Sequence, residues 1–319
     1  MHRGFWRFML RRAAFAALLV LLVSSAALIL ADLSPPDDAF GTDPAVLVAQ
    51  RRSAGLDLPL ADQYLTWLTR SLRLDFGQSL HFGRPVASLI RERAGHTVLL
   101  GLSALALAIC IGIPLGVFTG SRRGGILVAA AESASIVLLS LPPLVTSLIL
   151  LLIAARTGWF PAGGLPDVPP GAGWIEAIST TLRYLVLPSL ALGLPIAASL
   201  ERLQSRSMAD ALIDPSLLAA TARGIPARRV IWRHALRLSL KPVIAIFGVT
   251  VGSVLSGSFA VEVVMSWQGL GDLMYQALQA RDLYLVAGCA ATGSFCLAAA
   301  VLLSDLALAA VDPRMDREA

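Results

Sequence analysis

Lysine is almost missing from this sequence: of its 26 basic residues, Lys241 is the only lysine and the rest are arginine. Lys241 lies between Leu240 and Pro242, so the chain has no glycine-rich loop ending in Gly-Lys-Ser/Thr that could cradle nucleotide phosphates. Any ATPase that works with this chain must be another chain. Charge of either sign is scarce, at 15% of residues, where a soluble domain carries about 25%; an ordinary water-soluble enzyme is therefore excluded. The three cysteines, Cys110, Cys289 and Cys296, lie inside apolar runs, where a small buried thiol is the usual role and no spacing supports a disulfide framework or a metal site. The four histidines, His2, His81, His96 and His234, fall outside those runs or at their edges. With no His-Glu-x-x-His and no Gly-x-Ser-x-Gly, neither an intramembrane protease nor a resident metal is indicated. An ion-coupled carrier commonly places ionisable residues near the membrane midplane. Here Glu132, Glu262 and Asp305 sit toward the ends of their runs, and pairing with Arg122 or Arg123 is the simplest role for Glu132.

What the chain has is apolar length. Hydrophobic residues make up 56% of it and its mean hydropathy is +0.72. Apolar runs extend over about Ala13–Ala31, Thr97–Thr119, Ile126–Ala155, Tyr184–Leu200, Val243–Val261 and Leu283–Ala310. Most approach or exceed the roughly 18 residues that mark a membrane-spanning helix. The first is too long for the apolar part of a signal peptide and is read as a retained helix. Six spans put both termini on one side, in an all-α polytopic membrane protein. The expected organisation is a tail and first span (1–32), an extracytoplasmic helical segment (33–96), a five-helix core (97–311) containing a cytoplasmic loop (201–241), and a cytoplasmic tail (312–319).

The distribution of basic residues orients it. With the N-terminus cytoplasmic, 16 of the 26 basic residues fall in inside segments. Only Arg156, Arg183 and Arg281 fall in the two short outside loops, as the positive-inside rule requires. In the first outside segment Leu60, Tyr64, Leu65, Trp67, Leu68 and Leu72 recur at helical spacing, Pro59 suits a first turn, and Pro35, Pro36 and Pro85 lie toward the edges. Either a small helical cap or a helix lying on the membrane surface fits that stripe. The second outside loop, Thr157–Leu182, is rich in Gly and Pro, and its Trp159 and Trp174 read as interfacial anchors.

About 40 residues separate the fourth and fifth spans, far more than a helix connection needs. Asp214 can cap a helix, Pro215 suits its first position and Gly224 can end it, giving a helix over Pro215–Arg223. So short a helix is marginal in water and must dock; Leu217, Leu218 and Ala220 are the natural contact face. Pro226 opens a second helix that carries Arg228, Arg229, Arg233 and Arg237. Attachment of both helices to the lipid interface is the competing reading.

The order of residues favours one reading. Ala219-Ala220-Thr221-Ala222-Arg223-Gly224-Ile225-Pro226, followed by Arg228-Arg229-Val230 and by His234-Ala235-Leu236-Arg237 on to Pro242, resembles the cytoplasmic signature of ABC importer permeases of the dipeptide, oligopeptide and nickel branch. Agreement continues in Gln63-Tyr64-Leu65, Asp75-Phe76-Gly77-Gln78-Ser79, Gly83-Arg84-Pro85-Val86, Ser266-Trp267-Gln268-Gly269-Leu270-Gly271, Arg281-Asp282, Asp305-Leu306 and Asp312-Pro313-Arg314. The resemblance implies a type I ABC importer permease fold in the cell inner membrane. Leu217, Leu218, Ala219, Ala220, Arg223 and Gly224 would couple to a separate ATPase. It implies as partners a second, similar permease, two ATPase subunits that bind the ATP, and an extracytoplasmic substrate-binding protein, with no cofactor in this chain. The cargo would be a peptide, or a nickel complex or similar small polar solute. The sequence departs from the family at Leu218 and Thr221, where charged residues are usual, and at Gln268, where proline is common. In the fifth span Gly252, Ser253 and Ser256, with Gly248, Gly257 and Ser258, could line a polar path, although small residues at this spacing equally permit close helix packing. A self-contained secondary transporter and a membrane scaffold without transport are the alternatives from other classes.

Overall fold

The structure is a computed structural model, and it describes residues 11, 14, 15, 17, 18, 20–26, 29, 60–71, 75–122, 124–166, 171 and 173–311. Twelve of the 19 residues of the expected first span, Ala13–Ala31, are described and all twelve are helical, whereas the expected tails, apart from Arg11, lie outside the described residues. The described elements are helices: α1 (Leu60–Ser71), α2 (Val86–Gly120), α3 (Ile126–Ser140), α4 (Pro143–Thr157), α5 (Trp174–Leu212), α6 (Pro215–Ala222), α7 (Ala227–Arg229), a π-helical turn (Val230–Ala235), α8 (Leu236–Ala245), α9 (Phe247–Val264), α10 (Leu270–Gln279) and α11 (Leu283–Val311). Among the described residues the only strand-like pairing is a single antiparallel bridge, Gln78 with Pro85.

Among the described residues four helices are long and apolar enough to cross a membrane, namely α2, α5, α9 and α11 over Leu283–Ser304. The run Ile126–Ala155, expected as one span, is instead broken into α3 and α4, which meet at 108°. The tandem Pro142-Pro143 accounts for the break. The ring of Pro142 drives Leu141 out of the helical region, to φ −95° and ψ 115°, and Pro143 then starts α4 at a position that needs no hydrogen-bond donor. Counting that bent pair as one span gives five.

Two helices outrun their apolar cores. At 39 residues α5 reaches about 58 Å at 1.5 Å per residue, nearly twice the roughly 30 Å of hydrocarbon in a bilayer. It therefore absorbs residues 174–182 and 201–212, both expected as loop. In the same way α2 begins at Val86 rather than at Thr97.

The chain divides into two compact units, residues 1–97 with 268–299 and residues 98–267 with 300–319. In the first, Trp67 of α1 is buried with Val86, Leu89 and Ile90 of α2, Leu273 of α10 and Leu285 of α11. The predicted α1 stripe thus splits, because Leu65 faces outward while Trp67 enters this core. Buried Asp282 closes the unit by accepting hydrogen bonds from the Ser79 hydroxyl (2.5 Å), the His81 N–H (3.1 Å) and the Leu285 N–H (3.2 Å) at the start of α11. Gly77, at φ +86°, lies on the ring of Tyr284, so two segments distant in sequence form one cap.

In the second unit α2 and α5 approach without side chains between them. A Cβ at Gly112 would stand 2.5 Å from the Ala197 carbonyl and one at Gly116 2.7 Å from that of Glu201; Gly120 meets the carbonyl of Ser205 in the same way. Glycines four apart on one helix face carbonyls four apart on the other, the small-residue contact common between membrane helices. The apolar core around this contact includes Leu100, Ala104, Leu192, Ile196, Leu200, Val254 and Trp267.

Candidate functional site

Short α6 stands between two punctuation marks. At its start the Asp214 carboxylate accepts from the Ser216 hydroxyl (2.5 Å) and from the Ser216 backbone N–H (2.8 Å). Those two bonds, the hydroxyl's first, hold the Asp214 carboxyl below its usual range. Pro215 follows at the first helical position, as its locked φ favours.

At the other end Gly224 is left-handed at φ +83°, and nothing lies within 4 Å of where its Cβ would be. The constraint there is conformational and not steric. The Gly224 N–H bonds to the Thr221 carbonyl (2.9 Å) and the Ile225 N–H to the Ala220 carbonyl (3.3 Å). This is the Schellman pattern, which satisfies the last carbonyls of a helix.

The docking face is narrower than the sequence suggested. Leu217 and Ala220 are buried at 5% exposure each, and Leu217 joins a cluster with Val117 of α2, Met208 and Ala211 of α5, and Val230 and Ala235 of the π turn, with Ile225 packed against it. They fasten α6 to its own chain. Leu218, 57% exposed, points away, as do Ala219, Thr221, Ala222, Arg223 and Gly224. A helix has one inner and one outer side, so adjacent Leu217 and Leu218 cannot share a face.

Sequence reasoning missed what holds this region from above. Glu201 and Gln204, on the α5 extension, are fully buried. Glu201 Oε1 accepts from the Thr119 hydroxyl (2.6 Å) and Gln204 Nε2 donates to the Ser239 hydroxyl (2.8 Å), tying α5 to α2 and α8. The available signal was the spacing of Gly112, Gly116 and Gly120, which brings α2 against that stretch of α5. Glu132, expected to pair with Arg122 or Arg123, is exposed, and the Arg122 guanidinium lies 4.3 Å from the centroid of the Phe118 ring instead; Arg123 lies outside the described residues.

On α9 the proposed path residues separate from the packing residues. Gly248 sits against Ser304, and Gly257 against Leu192 and Pro143. Val249, Ser253 and Ser256, at helical spacing, are exposed, and Gly252 beside them is half-buried. Packed small residues and exposed ones thus lie on different sides of one helix.

The second compact unit and its docked loop define a helical, multi-pass component of a membrane transport system. Residues 112–317 match the model of the family described as binding-protein-dependent transport system inner membrane component, and the chain belongs to that family. A relative from Brucella suis biovar 1 (strain 1330) is 32% identical over 97% of this chain and 98% of its own. The oligopeptide transport system permease protein AppB of Bacillus subtilis (strain 168) is 30% identical over 97% of this chain and 99% of its own. Among solved structures, an inward-facing form of the MetNI methionine ABC transporter shares the fold, with a TM-score of 0.50 at 17% identity, over 70% of this chain and 96% of that one.

Proposed function

We propose that this chain is the permease subunit of an ATP-driven importer of peptides, or of similar small polar solutes such as a nickel complex, and that α6 is the element through which a separate ATPase drives it. The observation that carries the proposal is the two-sided build of α6. It is capped at both ends, fastened by Leu217 and Ala220, and leaves Leu218, Ala219, Ala222 and Arg223 uncovered. An eight-residue helix is costly to hold in water, and an uncovered apolar edge on a rigidly held helix suits a partner. The relatives named as oligopeptide and dipeptide permeases of Bacillus subtilis support a peptide cargo.

In this reading the 201–241 loop is cytoplasmic, both termini are inside, and the chain has no ATPase site of its own. The partners are two ATPase subunits, a second homologous permease and an extracytoplasmic binding protein. Val249, Ser253 and Ser256 on α9 face the substrate path or the second permease. Force is delivered through packed side chains: displacement of α6 pulls on Met208 and Ala211 at the end of α5 through Leu217, and on Val117 of α2.

The test is Gly224→Val in the full transporter. Valine at φ +83° is strained by at least about 1 kcal/mol, which misdirects the chain into Pro226 while leaving every span unchanged. Normal membrane levels with weakened ATPase recovery and lost uptake are expected; undiminished recovery with normal uptake refutes the coupling role. A self-contained carrier, by contrast, would transport without any ATPase.

A further inference from the structure

From Pro215 to Val261 the chain contains no aspartate or glutamate, yet it carries Arg223, Arg228, Arg229, Arg233, Arg237 and Lys241. The last five are exposed, on the stretch that runs from α7 through the π turn into α8, and among the described residues they form no ion pair. Arg229, Arg233, Arg237 and Lys241 recur every fourth residue. In an α-helix at 3.6 residues per turn that spacing overshoots a full turn by about 40°, so four such residues would wind around the axis. The π turn at Val230–Ala235 changes this. Its N–H groups reach five residues back instead of four, so each residue turns through less angle and the register swings the other way. The two drifts oppose each other and keep the cations in one stripe. Half-exposed Trp232 (49%) and Leu238 (37%) stand among them. The stripe ends at Lys241, two residues before the apolar run into α9 begins at Val243.

We infer that this stripe is a binding surface for the phosphates of anionic lipid headgroups, the guanidinium and ammonium groups holding the phosphates while the Trp232 indole sits at the headgroup level. The inference rests on the proposed orientation, which puts the loop on the inner side of the membrane. Three features favour lipid over an acidic protein partner. The cations lead directly into a span, where headgroups must lie; an indole among cations is the signature of a membrane interface; and the uncovered edge of α6 already supplies a face for a protein. Removing the π turn would scatter the cations, which gives this unusual element a function that backbone packing alone does not.

The experiment uses the purified full chain in nanodiscs. Brominated phosphatidylglycerol or brominated phosphatidylcholine is introduced at equal fraction, and the Trp232 component of the fluorescence is isolated by subtracting the Trp232→Phe protein. Quenching by the anionic lipid is expected to exceed that by the zwitterionic one by roughly several-fold at low salt and to lose that excess in molar salt, as screening requires. The preference should vanish in the combined R229Q, R233Q, R237Q and K241Q protein. Arg233→Gln alone should reduce it partly. Equal quenching by both lipids overturns the inference, and so does a preference that survives all four substitutions. Equal quenching by both lipids in the unaltered protein, together with loss of ATPase recovery in the combined variant, would assign the stripe to a protein partner and overturn it too. None of these results bears on the importer reading, which stands or falls with Gly224 and uptake.

Discussion

The division of labour on α6 is open to direct measurement. Leu217→Ala removes three carbons from a site 5% exposed and flanked by Val117, Met208 and Ala211. A core truncation of this kind costs about 2–5 kcal/mol. An eight-residue helix at the surface relaxes more readily than a closed core, so the lower part of that range, about 2–3 kcal/mol, applies here. At 1.36 kcal/mol per tenfold, the ratio of docked to undocked α6 falls by about 30- to 150-fold. Hydrogen exchange reads this locally, because the amides of α6 exchange through undocking and not through global unfolding. Protection over residues 217–225 should fall by that factor, while α5 and α9 keep theirs. Leu218→Ala, at a side chain 57% exposed, should leave exchange unchanged within about 0.5 kcal/mol yet weaken ATPase recovery. If Leu217→Ala exchanged like the parent protein, the claim that burial of Leu217 fastens α6 would be wrong.

Three further outcomes follow from the structure. Gly116→Ala should lower the thermal midpoint in detergent, since its Cβ would meet the Glu201 carbonyl at 2.7 Å and overpacking costs about 1–3 kcal/mol; Gly95→Ala on the same helix, with nothing within 4 Å, should not, and equal midpoints would refute the close contact. The Asp214 cap should be sensitive to acid in one direction only. Its carboxyl is held low in the folded state, so its contribution is complete above the ordinary value of about 3.9 and disappears as pH falls through the lowered one; Asp214→Asn should abolish that dependence, and a helix start that loosened on raising the pH would contradict the sign. Finally, cysteines placed at Gly164 and Gly224 in a background without native cysteines should be labelled from outside and inside respectively by an impermeant reagent, and labelling of position 224 in intact cells would reverse the topology.

Much of the candidate site was legible because it is written in local chemistry. Asp214, Pro215 and Gly224 announce a cap, a first turn and a left-handed stop, and each depends only on residues within one turn. The helix limits were less legible: α5 absorbs polar residues 201–212 because Glu201 and Gln204 find partners in Thr119 and Ser239, and nothing in their own neighbourhood predicts that. The break at Leu141 was hidden by composition. Hydropathy averages across Pro142-Pro143, and only the backbone restriction before proline marks the bend. The opposite roles of Leu217 and Leu218 required the positions of Met208 and Val230, which no pattern within α6 contains.

The Ser79–Asp282 hydrogen bond joins residues 203 positions apart. A ribosome adding about 5–20 residues per second needs roughly 10–40 s to make the second partner after the first. Throughout that interval Trp67, Val86 and Ile90 lack Leu273 and Leu285, the neighbours that cover them in the finished unit. The first third of the chain must therefore wait half-built in or beside the membrane until synthesis nears its end. A nascent chain stalled before residue 270 would present that apolar surface to proteases and to chaperones, however correctly its earlier spans had been threaded.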